Sequence, residues 1–324
     1  MKTEKYGTRE EWLSARRQGF GGSEVATLLG LFSRWSSPIQ IYEEKANGRS
    51  FDVDDESKYW GRKHESNVID RWQEEHPAAA VTRFDLTIVR NDKYPHLFCS
   101  PDAGARLNGK RIVIEAKSSR FGDDYGPDGT DEVPLYVMFQ VQSQLMILEC
   151  EYAEVPVLIG GFEYRCYRIA PNPEIQRAIE ETSREFWENH IETKVPPPLE
   201  GLASEKDFFK KKYPNDETEP VEATAEDQAL FDEYKKLVGD EKNSAKTGGS
   251  RILQVEGMLK ERIGNAAGMR FKDGEISWKS AHRETVDWKA LAESLSPTPE
   301  QIAAYRRSGN GGRRFLLKNG KRGG

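Results

Sequence analysis

The chain has few cysteines, no long apolar run and no excess of basic charge, and each shortage closes off a class of function. Three cysteines occur in 324 residues, Cys99, Cys150 and Cys166. No two form a CxxC pair, and the odd number argues against a disulfide framework. Three thiols are too few for a four-thiolate zinc or iron–sulfur centre. No apolar stretch approaches the roughly 20 residues that span a membrane. The opening, MKTEKYGTREEW, has no apolar segment of the kind a secretory signal needs, so a cytoplasmic protein without a membrane segment is the expectation. The 48 Lys and Arg against 54 Asp and Glu give a net charge of −6. A chain with that balance does not coat nucleic acid along its whole surface. It can still hold a local basic channel, because phosphate contacts act over short, screened distances.

What is present divides into three parts: residues 1–193 as an α/β unit, 194–223 as a linker and 224–324 as an accessory region. In the first part, GFGGSEVATLLG places a Gly-Gly-Ser turn before a helical pattern, and SSPIQIYEEKANG begins on proline and ends on Asn-Gly, as helices do. SKYWGRKHESNVIDRWQEEHP and PLYVMFQVQSQLMILE read as longer helices, VTRFDLTIVRN as a strand. HLFCSPD and RIVIEAK read as strands joined through Asn108-Gly109, a hairpin dipeptide, and a second hairpin turns at Gly160-Gly161. The linker carries KVPPPLEG and YPNDETEP. The accessory region holds two helical patterns about SAKTGGS, a short strand pair about Asp273-Gly274, and a tail over 306–324 with seven Lys or Arg and no acid.

The stretch SPDAGARLNGKRIVIEAKSS, residues 100–119, concentrates the chemistry. Glu-x-Lys alone says little, since Glu43/Lys45, Glu192/Lys194 and Glu233/Lys235 share the spacing. At Glu115 the triplet ends an apolar strand. Alternate strand residues point the same way, so Glu115 and Lys117 share a face. Charges there need partners or a ligand, and the hairpin turns Asp102 back toward them. Two carboxylates beside a lysine suit a divalent cation such as Mg²⁺, which acidifies bound water and offsets charge on a phosphoryl group. A plain salt bridge across the hairpin reads the same residues without chemistry.

SPD, a hairpin and EAK together resemble the P-D-(D/E)-x-K nuclease signature. WLSARRQGFGGSEVATLLG, GRKHESNVIDRWQEE, TDEVPLYVMFQVQSQLMI and VLIGGFEYRCYRI, in that order over residues 9–192, resemble the YqaJ-like viral recombinase family, which includes lambda-type exonuclease. The resemblance implies a PD-(D/E)xK restriction-endonuclease-like α/β core, a central mixed sheet flanked by helices, with a C-terminal helical-hairpin and short-strand extension. It implies Asp102, Glu115, Glu65 and the carbonyl of Ala116 as metal ligands, Lys117 as the catalytic lysine, and Gln140 as a supporting residue. It also implies Arg16, Ser23 and Ser100 as a 5′-phosphate site. Arg17 competes with Arg16, and only the spacing to Ser23 separates them. Ala116 is smaller than the usual aliphatic at its position, and the last 100 or so residues match loosely.

The expected function is a Mg²⁺-dependent 5′-to-3′ exonuclease acting on double-stranded DNA ends, with Mn²⁺ able to substitute. It would release 5′-mononucleotides and leave 3′ tails for a single-strand annealing protein, as a homo-trimeric ring in a bacterial host's cytoplasm. An endonuclease with the same core and a catalytically silent DNA-binding module are the alternatives. His64 and His96 are set aside as structural, because Mg²⁺ prefers oxygen. Trp278, Lys279 and Trp288 read either as base-stacking groups or as core, and the basic tail as a phosphate contact or a solvated end.

Overall fold

The computed structural model describes all residues except 32, 33, 35, 52–54, 242–248, 281–287, 295, 297 and 305–324. Met1–Lys279 form one compact unit and Ser280–Gly324 a second. The first unit opens with β1 (Lys2–Lys5), α1 (Arg9–Ala15), a 3₁₀ turn at Arg16–Gln18, β2 (Phe20–Gly21), α2 (Gly22–Leu28), α3 (Pro38–Ala46) and α4 (Glu56–Glu75). Local chemistry fixes these starts. Thr8 and Glu11 form a reciprocal capping box on α1, and the Asp55 side chain accepts Lys58 N–H at the start of α4.

Strands follow: β3 (Ala80–Arg83), β4 (Thr87–Arg90), β5 (Leu97–Cys99), β6 (Ala103–Leu107), β7 (Lys110–Ile114) and β8 (Lys117–Ser119). After α5 (Leu135–Leu148) come β9 (Tyr152–Ile159), β10 (Glu163–Ile169) and α6 (Pro173–Phe186), which runs on as a π-helical turn to Glu192. Two sheets result. One has the order β1-β4-β5-β2; the other, of six strands, runs β10-β9-β7-β6-β3, with β8 also paired to β9. The second is mixed: β7 and β8 run parallel to β9, its other pairs antiparallel. A parallel pair needs a crossover, and α5 supplies it.

Period-2 alternation sorts the six-stranded sheet into two buried faces. Val113, Val155 and Val157 pack against Val137, Val141 and Leu145 of α5. Ile112, Ile114 and Ala116 pack on the other face with Val68, Ile69 and Trp72 of α4. A third cluster joins α2, α3, α6 and the four-stranded sheet around Phe20, Ile41 and Ile147. The chain is therefore a mixed α/β protein with sheets flanked by helices, as expected.

Three local readings change. The Asn108-Gly109 turn, with both residues at positive φ, joins β6 to β7, whereas Leu97–Cys99 belongs to the other sheet. VTRFDLTIVRN is two strands in different sheets, divided near Leu86, whose φ is 47°. The expected linker contains α7 (Ala203–Lys212), whose Phe208 and Phe209 are buried in the third cluster. Lys212 also reaches Glu43 of α3 at 2.7 Å.

Beyond it lie β11 (Val221–Glu222), α8 (Ala225–Glu241), α9 (Gly249–Ile263), β12 (Gly268–Phe271) and β13 (Gly274–Ser277). Arg251 on α9 pairs with Glu233 on α8 at 2.7 Å, so the helical hairpin forms. Trp278 packs edge-on against Tyr213 and under Lys260, partly buried at the edge of the core. The second unit contributes the short helices α10 (Trp288–Ser294) and α11 (Pro299–Ala304). The basic tail at 306–324 and most of the turn at 244–250 lie outside the described residues. No helix among the described residues is long and apolar enough to cross a membrane.

Candidate active site

Glu115 follows β7 on the face that α5 covers, the parity it shares with Val113 and Lys117. It is 2% exposed. A carboxylate there needs donors, and it has three. Lys117 Nζ donates to Glu115 Oε1 at 2.6 Å, Gln140 Nε2 to the same oxygen at 2.5 Å, and Gln144 Nε2 to Oε2 at 2.6 Å. Lys117 also donates to Gln140 Oε1 at 3.0 Å, closing a ring of charge-assisted hydrogen bonds. One helical turn separates the two glutamines, so a single stripe of α5 supplies both. Asp102, just before β6, accepts Ala116 N–H on Oδ2 at 2.8 Å.

The carboxylates press on one another. Burial, then Glu115 and Glu65, push the Asp102 carboxyl well above its ordinary range. Burial, then Glu115 and Asp85, push Glu65 up as well. Burial works against the Lys117 ammonium, but Glu115 and Asp102 hold it above its usual value. Among the described residues no three His, Cys, Asp or Glu side chains are placed so that together they could hold a metal ion. Asp102 and Glu115, joined through Ala116 and Lys117, are a pair of hard oxygen donors of the kind a divalent cation takes together with water, and its charge would offset theirs.

A cavity of about 490 Å³ opens beside this cluster. Eight basic side chains line it against two acidic ones, Glu24 and Glu44. Arg16, Arg17 and Ser23 are all in its wall. The Arg16 guanidinium carbon lies 4.5 Å from the Trp12 ring centroid and 5.0 Å from that of Phe98, two cation–π contacts that restrain it. Gly22, next in sequence to Ser23 of this wall, packs against Gln140 of the carboxylate cluster. A Cβ there would stand 2.9 Å from the Gln140 carbonyl oxygen, so only glycine lets α2 approach α5 this closely.

The structure thus brings Asp102, Glu115, Ala116, Lys117 and Gln140 together directly and couples Glu65 to them by charge. Arg16 and Ser23 share the neighbouring cavity. Ser100 does not line it: its Oγ is buried without a hydrogen-bond partner. Sequence reasoning gave two groups no role in the site. Gln144 was legible only as the i+4 neighbour of Gln140. Lys45 had no signal; its Nζ is buried in the cavity wall, donating to Arg16 O at 2.9 Å and lying 2.8 Å from Glu24. Burial holds its ammonium below the usual value. His64 stacks on Trp60 and His96 on Trp187.

Residues 11–151 match the model of the YqaJ-like viral recombinase domain. The uncharacterized protein YqaJ of Bacillus subtilis (strain 168) is 25% identical over 303 residues, 91% of this chain and 91% of that protein. Among solved structures, an alkaline exonuclease (LHK-Exo) from Laribacter hongkongensis overlaps 57% of this chain and 95% of its own, at 17% identity and a TM-score of 0.43. A phage related exonuclease from Haemophilus somnus 129PT overlaps 55% and 96%, at 11% identity and a TM-score of 0.41.

Proposed function

We propose that this protein is a metal-dependent exonuclease that degrades the 5′ strand from the ends of duplex DNA. It would release 5′-mononucleotides and leave 3′ single-stranded tails. The observation that carries the reading is the juxtaposition of the Lys117–Glu115–Gln140–Gln144 ring with a basic cavity that holds Arg16 and Ser23. The family match supports it.

Asp102, Glu115, Glu65 and the Ala116 carbonyl would hold Mg²⁺, or Mn²⁺ in its place. The cation would supply an acidified water and neutralise charge on the phosphoryl oxygens. The chain's own groups do the rest. Gln140 and Gln144 fix both Glu115 oxygens, so the carboxylate cannot rotate away. The Lys117 ammonium orients the attacking water and offsets the charge that develops at phosphorus. The water oxygen bonds to phosphorus, the bond to the 3′-oxygen breaks, and that oxygen takes up a proton. The remaining strand is left with a fresh 5′-phosphate, which Arg16 and Ser23 in the cavity wall would hold, without Ser100, whose Oγ is buried away from it. Arg16 fits that part best, because its guanidinium is already held by cation–π contacts with Trp12 and Phe98. A homo-trimeric ring in the cytoplasm would confine the DNA and pass its tail to a single-strand annealing protein. A ring reconciles a net charge of −6 with a DNA substrate, since only its lining need be basic.

The test compares release of acid-soluble nucleotides from linear and circular duplex, with Mg²⁺ and with EDTA. Release from linear DNA only, abolished by EDTA and by Lys117→Ala or Glu115→Ala, is expected. Cleavage of circles would make the protein an endonuclease, and no metal-dependent release would make it a binding module.

A further inference from the structure

Glu154 is a second buried carboxylate, 2% exposed, in the middle of β9. Its neighbours Ala153 and Val155 face α5, so strand alternation turns Glu154 to the α4 side of the sheet. Two donors meet it there. Trp72 Nε1 of α4 donates to Oε2 at 2.5 Å. Arg168 of β10 donates to Oε1 through Nη2 at 2.6 Å and Nε at 3.1 Å. His76 stacks on the Trp72 ring with centroids 4.3 Å apart, and its Nε2 stands 3.9 Å from Oε2. A buried ion pair is a poor stabiliser, because desolvation offsets the attraction. Its hydrogen bonds are directional, however, and they fix geometry.

The backbone of the same residue reaches the candidate site. Glu154 stands opposite Ile114 in the parallel pairing of β7 and β9, and its carbonyl accepts the Glu115 N–H at 3.0 Å. One residue therefore holds two carboxylate-bearing segments, the end of β7 by its main chain and α4 by its side chain. On α4, Glu65, Ile69 and Trp72 stand at i, i+4 and i+7, one stripe of the helix. Trp72 lies about 10.5 Å along the axis from Glu65. Other restraints on that stripe are weak. Val68, Ile69 and Trp72 are the buried residues of this 20-residue helix, and apolar contact is non-directional. Arg83 of β3 reaches Ser66 and Asp70, but at an exposed position, where ion pairs contribute little.

We infer that Glu154 is a positioning residue, whose bond to Trp72 fixes the rotation and register of α4 and so aims Glu65 at Asp102 and Glu115. The inference rests on the reading that these carboxylates hold a divalent cation.

The experiment uses the full-length protein without DNA and takes Mn²⁺ as the probe, its free fraction read by electron paramagnetic resonance, with thermal melts alongside. Trp72→Phe keeps the ring and removes the N–H, while Glu154→Met keeps the side-chain length and removes the acceptor. Each should weaken Mn²⁺ binding about 10-fold, the scale on which outer partners of a metal site act. Glu154→Gln should bind Mn²⁺ as the wild type does. Its amide oxygen still accepts the Trp72 N–H, and Arg168, with a side chain 61% exposed, can turn to solvent. In a Glu65→Gln background Trp72→Phe should cost no further affinity, because both changes act through one carboxylate; distant sites without such coupling add. Equal fold losses from Trp72→Phe in the two backgrounds, wild-type Mn²⁺ affinity in Trp72→Phe or Glu154→Met, or a Glu154→Gln protein as weak as Glu154→Met overturns the inference. Failure of both Trp72→Phe and Glu154→Met to fold overturns it as well, since the bond would then hold the fold and not the aim of one side chain. If only Trp72→Phe fails to fold, the comparison of Glu154→Gln with Glu154→Met decides. Mn²⁺ binding that Glu65→Gln and Glu115→Ala leave unchanged would remove the metal reading itself. Binding that depends on those two carboxylates but not on Trp72 would remove only the positioning role.

Discussion

Replacing Gln144 by leucine separates the chemistry of the site from the stability of the fold. The side chain is 1% exposed and has opposed halves. Its Nε2 donates to the Glu115 carboxylate at 2.6 Å, while its Oε1 is buried with no hydrogen-bond partner. A hydrogen bond to a charged group contributes about 1.5–3 kcal/mol, and an unsatisfied buried acceptor costs about 1–3 kcal/mol. Leucine, of similar volume, removes both, so the net change in stability should be within about 1 kcal/mol. For a chain of this size that is a Tm shift of about 4 °C at most. Glu115 meanwhile loses the Gln144 donor on Oε2 and is free to swing. If the lost 1.5–3 kcal/mol falls on the transition state, kcat drops about 10- to 150-fold. KM for DNA should hold, because Gln144 is absent from the cavity wall. Gln142→Leu is the control. Its amide donates to Ala170 O at 2.7 Å and accepts Asn172 N–H at 2.8 Å, with no contact to Glu115. It should therefore melt several degrees lower with the kcat of its folded fraction intact. Paired thermal melts and single-turnover nuclease assays read both variants. A Gln144→Leu protein that melts like Gln142→Leu, or that keeps wild-type kcat, refutes the assignment.

Gly22→Ala should cost about 1–3 kcal/mol by overpacking, since its methyl would stand 2.9 Å from the Gln140 carbonyl oxygen; an unchanged Tm would show that α2 and α5 can part freely. Asp102→Asn should raise Tm near neutral pH in EDTA while abolishing nuclease activity. The folded-state pKa of Asp102 is raised, so its favourable contribution exists at low pH and is lost as pH rises through that value. Asparagine still accepts Ala116 N–H, and a lower Tm at neutral pH would contradict the argument. Lys212→Met leaves Glu43, 5% exposed, without its nearest cation, and should destabilise by about 3–5 kcal/mol. Burial alone would raise Glu43, yet Lys212 and Asn47 hold it below its usual value. The wild-type advantage should therefore be full above the unfolded carboxyl pKa and shrink as pH falls through the folded one; a difference independent of pH would refute the pairing.

Local signals carried much of the fold. Asn108-Gly109 and Gly160-Gly161 turn where their positive φ values require, and Asn172 caps α6 through Glu174 and Ile175 N–H. These features depend on neighbours in sequence. Features that depend on distant partners were hidden. Leu97–Cys99 and Ala103–Leu107 are separated by three residues, and only pairing decides that the first enters one sheet and the second the other. The helix α7 carries Phe208 and Phe209 amid lysines, and its burial depends on a surface more than 150 residues away in sequence, as with Lys212 and Glu43. The cavity is harder still, because its wall runs from Arg9 to Lys211 and no spacing rule links them.

The carboxylate–lysine triplet shows why the site was legible and its geometry was not. Strand parity alone puts Glu115 and Lys117 on one face, and their 2.6 Å contact agrees. The break between β7 and β8 needs a partner strand to explain it. Ile114 pairs with Glu154 and Lys117 with Val157, so Ala116 stands opposite Pro156 in an unbroken register. Glu115 N–H still donates to the Glu154 carbonyl at 3.0 Å, but Pro156 has no N–H to return to the Glu115 carbonyl. The ladder therefore opens where Ala116 N–H turns away to Asp102. A proline in the middle of a sequence that reads as a strand argues against a central position. Here β9 is central, and Pro156 lies opposite the one place where the neighbouring strand must release its backbone to the site.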